Sequence, residues 1–263
     1  MSSITNAFQN GKAFIGFVTG GDPGIEKTEA FVLEMVRAGA DLVEIGIPFS
    51  DPIAEGPVIQ RANIRALSSG TTTDKLFNLV EKLRRNIETP LVFLTYLNPV
   101  FSYGYDRFFK RCRDTGVDGI IIPDLPFEEQ GEVRDISARY GVDLISLIAP
   151  TSEERILEIV RTASGFLYLV SSLGVTGVRG EITTDLAAII ALVKKAQTQG
   201  GAPRLPAAVG FGIHTPTQAA EIARIADGII VGSAIVKIIE DHGEAAGKPI
   251  YEYVKGMKEA IGS

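Results

Sequence analysis

Two acidic side chains stand in EIGIPFSDPIAEGPVIQ (residues 44–60), Glu44 inside an apolar run and Glu55 in the segment after it. Glu44 is flanked by Leu42, Val43, Ile45 and Ile47. Burying an unpaired carboxylate costs on the order of several kcal/mol or drives its pKa upward. A carboxyl tuned toward neutral pH both donates and accepts a proton. The competing reading is an acid satisfied by a cation or by backbone donors. Glu55 lies among Pro48, Pro52 and Pro57, with Gly56 as a permissive point. From there a carboxylate reaches over a site, or else stays solvated as an ordinary loop acid. Asp51 and Asp124 also follow apolar runs, and each equally suits a turn or a cap.

Glycines supply a second signal. GFGIHT (210–215) and GSAIVKII (232–239) each follow an apolar run. Glycine lets backbone N–H groups approach an anion, and a helix starting at Ser233 aims its positive end at the same point. Tight turns without a ligand are the alternative. SSLGVTGVRGEIT (171–183) is long, carries three glycines and reads as a lid, with Thr176 placed to hydrogen-bond a carboxylate. TGGDPG (19–24) lacks the G-K-[ST] ending of a phosphate loop and reads as a tight turn. Lysines fall on helices or turns, which disfavours Schiff-base chemistry. Two histidines, His214 and His242, and one cysteine, Cys112, exclude a three-histidine or cysteine-rich zinc site within one chain, so no metal is expected. Carboxylate acid–base chemistry on a phosphorylated substrate remains. Phe17, Tyr96, Tyr168 and Phe211, all near the ends of apolar runs, suit a flat apolar group, although most such aromatics are core.

These residues need elements to position them. Eight short apolar runs recur, FIGFVT, LVEIGI, LVFLTY, GIIIP, DLISLIA, GFLYLV, PAAVGF and DGIIVG, starting at 14, 42, 91, 119, 143, 165, 206 and 227. Between them lie one-sided helical patterns such as TDKLFNLVEKLRRNI and EERILEIVRTA. Nearly continuous apolar strands are buried on both faces, so the sheet is parallel and covered by helices. Eight such units over this length predict a single (β/α)8 TIM barrel spanning 1–263, with an extra N-terminal helix and a short extra helix after the eighth strand. An open doubly wound sheet is the alternative. In a barrel the site lies where strands end, which is where the residues above fall. The net charge of −6, with no Lys/Arg run beyond two, disfavours nucleic acid or an anionic membrane. The lone cysteine and the lack of a long apolar run or signal segment lead us to expect a cytoplasmic protein.

EIGIPFSDPIAEGPVIQ, FVTGGDP, LGVTG, GFGI and GSAIVK, in this order, resemble the tryptophan synthase alpha subunit family over about residues 10 to 260. The resemblance implies a (β/α)8 barrel that cleaves indole-3-glycerol phosphate to indole and glyceraldehyde 3-phosphate without a cofactor. It places the catalytic acid at Glu44. The second acid, usually aspartate, falls on Glu55, a departure that moves the carboxylate by one methylene. The lid threonine falls on Thr176. Phosphate contacts fall on Gly177, Gly212, Gly232 and Ser233, with Phe211 adjacent. Phe17, Ile59, Tyr96, Ile122, Tyr168 and Ile213 would line the pocket. The resemblance further implies an α2β2 complex with a pyridoxal-phosphate-dependent beta subunit that receives the indole. It would be contacted by the loop around Asp51 and Pro52, by the segment with Asn98 and Pro99, and by the segment with Pro126 and Phe127. A free-standing lyase, another phosphosugar barrel enzyme, and a weak module that only activates a beta subunit stay open beside it.

Overall fold

The computed structural model describes residues 3–150, 152–170, 179–199, 204–210 and 212–262. Among these, nine strands form one parallel sheet: β1 (Ala13–Thr19), β2 (Leu42–Gly46), β3 (Leu91–Leu94), β4 (Gly119–Ile121), β5 (Asp143–Leu144), β6 (Ser146–Ile148), β7 (Leu167–Val170), β8 (Ala207–Gly210) and β9 (Gly228–Val231). Their spatial order is β5-β4-β3-β2-β1-β9-β8-β7-β6. The two ends of that order are adjacent in the chain, separated by Ile145 alone. β5 pairs with β4 and β6 with β7, so the ring closes through the covalent chain. The expected fifth strand is therefore two short pieces, each serving one neighbour. This is the point at which a twisted sheet comes round to meet itself.

The other strands lie where the apolar runs fall, but most stop short of the run's C-terminal end. LVFLTY continues to Tyr96, whereas β3 ends at Leu94. GIIIP continues to Pro123, whereas β4 ends at Ile121. Past the strand ends, Ile47 and Ile122 pack in the outer core and Tyr96 is buried, so these apolar residues are core without being strand.

Inside the ring, Ile15, Leu42, Val92, Ile121, Ile145, Phe166, Tyr168, Ala208 and Ile230 form one apolar group, drawn from the strands around the barrel. Alternation along each strand sends the intervening residues outward, against the helices. A short α1 (Ser3–Asn6) closes the bottom: Ile4 is fully buried within the inner group. Gly119 leaves it room, since a Cβ there would stand 2.8 Å from Ile4 Cδ1.

An aspartate recurs at the foot of the strands, in ADLVEIG, VDGIII, VDLISL and ADGIIV. Three of these clamp the neighbouring strand. Asp41 accepts from Phe14 N at 2.7 Å, Asp118 from Leu91 N at 2.8 Å and Asp227 from Ala207 N at 2.9 Å. Each also donates its own N–H to the same residue's carbonyl. The paired bonds pin register at the face opposite the site. Lys258 adds charge to the clamp at Asp41 and Arg84 to the one at Asp118, where the Ser3 hydroxyl also donates.

The connecting helices include α2 (Ile25–Arg37), α3 (Pro57–Ser68), α4 (Thr73–Leu83), α5 (Leu97–Tyr103), α6 (Tyr105–Thr115), α7 (Gly131–Arg139), α8 (Glu153–Thr162), α9 (Arg179–Gln199) and α10 (Pro216–Ala223). After β9 come α11 (Ser233–His242), which is the expected short extra helix, and α12 (Gly247–Ile261). Helix α3 starts with Pro57 at its first turn, where a missing N–H costs nothing. Among the described residues no helix is long and apolar enough to cross a membrane.

If Ile4 is a true part of the inner core, Ile4→Ala should cost about 2–4 kcal/mol in urea unfolding, despite its place in a four-residue helix. A loss below about 0.5 kcal/mol, the range of ordinary surface changes, would show that the barrel floor is sealed without it.

Candidate active site

Glu44 lies on β2, two residues beyond the inward-facing Leu42, so its side chain also points into the barrel. It stands beside Phe17 of β1 and Val92 of β3 in the strand register. It is 1% exposed, and Oε1 accepts no hydrogen bond from any described residue. Burial pushes its carboxyl up to about 8. Among the described residues no cation offsets the desolvation, so at neutral pH the side chain is held as the acid. Tyr168 of β7 is also buried inside the ring; burial, and then the charge of Glu44, push its phenol well above the ordinary range. Both groups lie on the inner side of the ring, Tyr168 in the same apolar group as Leu42. Tyr168 also packs tightly on Gly210 of β8: a Cβ on that glycine would come within 2.6 Å of the tyrosine hydroxyl.

Glu55 immediately precedes Gly56, the N-cap of α3, and is half-buried. Asn63 Nδ2, one and a half turns into α3, donates to Glu55 Oε2 at 2.7 Å. The Tyr96 hydroxyl reaches the same carboxylate. The Ala54 N–H donates to that hydroxyl at 3.0 Å, and Phe49 packs on the tyrosine ring at 5.4 Å. Burial raises the Glu55 pKa, and the bonds from Asn63 and Tyr96 act against the rise. Burial is also the main cause that pushes the Tyr96 phenol up to about 12, so it stays a donor. The loop acid is thus anchored from two sides. Asn63 was missed in the sequence, yet a signal existed: it is a polar residue on the buried stripe Ala62, Asn63, Ala66 of the helix that follows the acid.

Phe17, Ala62 and Val236 form a separate apolar group with Val58, Ile59 and Leu94 packed against it. It joins β1 and α3 to α11 at the barrel mouth. Helix α11 begins at Ser233 with Gly232 as N-cap and has no side-chain cap, so its first N–H groups are open to an anion. Gly232 faces the Phe17 ring, where an added Cβ would meet it at 3.4 Å. Gly212 adopts φ +79°, the left-handed region that favours glycine. Two expected pocket residues belong elsewhere. Ile122 and Ile213 pack in the outer core between sheet and helices. On β4 the inward position is Ile121, because the period of two sends its neighbour outward. Thr176, Gly177 and Phe211 lie outside the described residues.

The expected partner-facing residues share the face at the strand C-termini. Asp51, Asn98 and Pro126 are exposed, and Pro52, Pro99 and Phe127 half-exposed. Ile53 and Phe101 are 79% and 66% exposed. Asp124 ties two of the segments by accepting from Leu97 N at 2.8 Å.

A parallel barrel with an uncompensated acid inside its mouth and an uncapped helix end beside it defines an acid–base enzyme for an anionic substrate. Residues 4–261 match the family described as Tryptophan synthase alpha chain. The tryptophan synthase alpha chain of Lactiplantibacillus plantarum is 50% identical over 262 residues, covering 99% of this chain and 97% of that one. The crystal structure of tryptophan synthase subunit alpha from Legionella pneumophila superposes with a TM-score of 0.88 at 39% identity, over 99% and 98% of the two chains. A structure of the tryptophan synthase a2b2 complex from Pyrococcus furiosus matches with a TM-score of 0.85 at 35% identity, over 95% and 99%. The chain belongs to the tryptophan synthase alpha chain family, lyases that cleave indole-3-glycerol phosphate and need no cofactor for that step.

The raised Glu44 pKa carries a stability consequence. Between about pH 4.5 and 8 the folded protein holds a proton that the unfolded chain has released, so stability falls as pH rises through that window. Glu44→Gln should therefore melt above the parent chain at pH 8, by an amount on the order of a few kcal/mol, with the gap closing toward pH 5. Equal melting temperatures across that range would mean that the carboxylate is compensated in the folded state.

Proposed function

We propose that Glu44 is the general acid and base of indole-3-glycerol phosphate cleavage, and that Glu55 is its electrostatic partner at the indole ring. The observation that carries this reading is the buried, unpartnered carboxyl of Glu44, protonated at neutral pH. In this reaction Glu44 delivers its proton to indole C3. The bond from C3 to the glycerol chain then breaks, and its electron pair returns to the ring. The neighbouring glycerol hydroxyl becomes the aldehyde and gives its proton to the Glu44 carboxylate, so the side chain ends as it began. Positive charge develops at the indole N–H during the first step. Glu55 accepts that N–H with the capacity that Asn63 and Tyr96 leave it. The phosphate sits at Gly212, Gly232 and Ser233, where open amides and the α11 dipole favour an anion. Phe17, Ile59, Tyr96 and Tyr168 wall the indole, with Ile121 in place of Ile122.

The whole activity rests on one barrel domain spanning 1–263. In this reading the partner is a beta subunit, joined as α2β2, which carries the pyridoxal phosphate and receives the indole in the cytoplasm. The exposed Ile53 and Phe101, flanked by Asp51, Pro52, Asn98, Pro99, Pro126 and Phe127, supply an apolar patch of the right kind. The Ala54–Tyr96–Glu55 contacts lead from that patch to the second acid.

Steady-state cleavage is the test. Glu44→Gln should bind substrate with KM within a few-fold but lose kcat by about 10²–10⁴. Retained turnover would end the assignment. Glu55→Asp should keep or raise kcat, since the loop is tied through backbone Ala54 as well as through the acid. Complete loss there would show a loop built around the longer side chain. The free-standing and activator-only alternatives separate in the same assay. Strong cleavage without a beta subunit favours the first. No cleavage with it, together with faster tryptophan formation from indole, favours the second.

A further inference from the structure

Asp22, in the turn TGGDPG after β1, has a function that the turn itself does not require. Its carboxylate is 1% exposed, and Arg65 of α3 grips both oxygens, Nε to Oδ1 and Nη2 to Oδ2, each at 2.8 Å. The same guanidinium reaches Glu240 of α11 at 3.2 Å through Nη1. Arg61, one turn earlier on α3, takes both oxygens of Glu240 at 2.6 and 2.9 Å. Lys237 stands 3.7 Å from the same acid. The arginines hold the Glu240 carboxyl down to about 2, so it is charged throughout the working range.

One side chain thus joins three parts of the site: the first loop, the helix that supplies Asn63 to Glu55, and the helix whose first turn faces the phosphate. Residues 61 and 65 share a face of α3, whereas residue 63 lies about 200° around the helix from either, at 100° per residue. The arginine face braces the helix against α11 and the loop while the opposite side holds the second acid. The apolar group of Phe17, Ala62 and Val236 also joins these helices. Apolar contact is non-directional and lets helices slide, whereas a two-pronged guanidinium–carboxylate pair fixes both distance and rotation.

We propose that Arg65 is a positioning residue for the reaction, bridging Asp22 and Glu240 so that α3 presents Asn63, and through it Glu55, at a fixed distance from the phosphate end of α11. The inference rests on the assignment of Glu55 above. It separates from a merely structural role because its effect must pass through Asn63.

The experiment is a double-mutant cycle on indole-3-glycerol phosphate cleavage, run on the folded chain alone and saturated with a beta subunit. Arg65→Met and Asn63→Ala should each lower kcat about tenfold, with KM within about threefold, because misplacing a reacting group costs rate more than binding. The double variant should fall no more than about twofold below the worse single one, since both changes act along one route. Full kcat in Arg65→Met, or losses that multiply in the double variant, would overturn the proposal. If removing the charge beside buried Asp22 prevents folding, Arg65→Lys keeps a cation there but loses the planar fork. It should lower kcat in the same direction, and undiminished turnover in it would be equally decisive. Glu55→Gln tells the two layers apart. If it loses turnover while the Arg65 variants do not, the bridge alone fails. If it keeps turnover, the Glu55 assignment fails and the bridge proposal with it.

Discussion

A carboxyl group that no described cation neutralises, shut inside a ring of strands, sets the terms for the rest of the molecule. Glu44 has Leu42 below it on the same strand, and Leu42 packs in the inner group with Tyr168. The free energy of excluding water from that acid is what keeps an ordinary glutamate protonated near neutral pH. The fold must withstand this cost, and it does so at the other end of the barrel. There Ile4 fills the floor, and aspartates 41, 118 and 227 lock neighbouring strands together through paired side-chain and main-chain bonds. Stability and chemistry are separated along the strand axis: register is fixed at the N-terminal ends, and tension is held at the C-terminal ends.

Two acids in one site need different surroundings if they are to do different work. Glu44 has an unpartnered oxygen and is raised by burial alone. Glu55 is also raised by burial, but two hydrogen bonds oppose the rise. Under the proposed reaction, the first would exchange a proton and the second would remain an acceptor. The extra methylene at position 55 is absorbed by its partners. Asn63 comes from the following helix and Tyr96 from beyond β3, and they meet the carboxylate from separate elements. A longer acid in this place is held by convergence on it rather than by shortness of its own stem.

Much of this was legible in the sequence because burial on both faces leaves a plain mark: a short, unbroken apolar run. Eight such runs gave the barrel and put Glu44 in a strand. The same mark misled at the run ends, where pocket and strand are equally apolar, so Tyr96 and Pro123 were read as strand. It also misled over facing. An all-apolar strand hides its own period of two, which is why Ile122 was expected to face inward although Ile121 is the residue in the inner group. The interruption at Ile145 left no mark, since closing the ring changes hydrogen-bond partners and not residue type. Helix α3 was hidden by the prolines before it. Its contacts from Arg65 and Arg61 to Asp22 and Glu240 join residues far apart in the chain, and no local pattern announces them.

The position of α3 ties the loop acid Glu55 to the uncapped end of α11. Its first residues follow Glu55, its inner face packs on Val236 of α11, and its loop runs back past Ala54 to Tyr96 and the exposed Ile53. The exposed Ile53 is therefore one residue away from Ala54, whose N–H meets the Tyr96 hydroxyl. The same helix leads from Glu55 toward α11, whose first turn has no side-chain cap. Displacement at any one of these places is felt at the others because the helix between them is rigid over its twelve residues. In the proposed reading, such a geometry would let substrate, through its phosphate, and partner, through the loop, bias the same carboxylate. The coupling needs no motion of Glu44, whose strand is clamped from below and whose environment must stay dry for the chemistry to work.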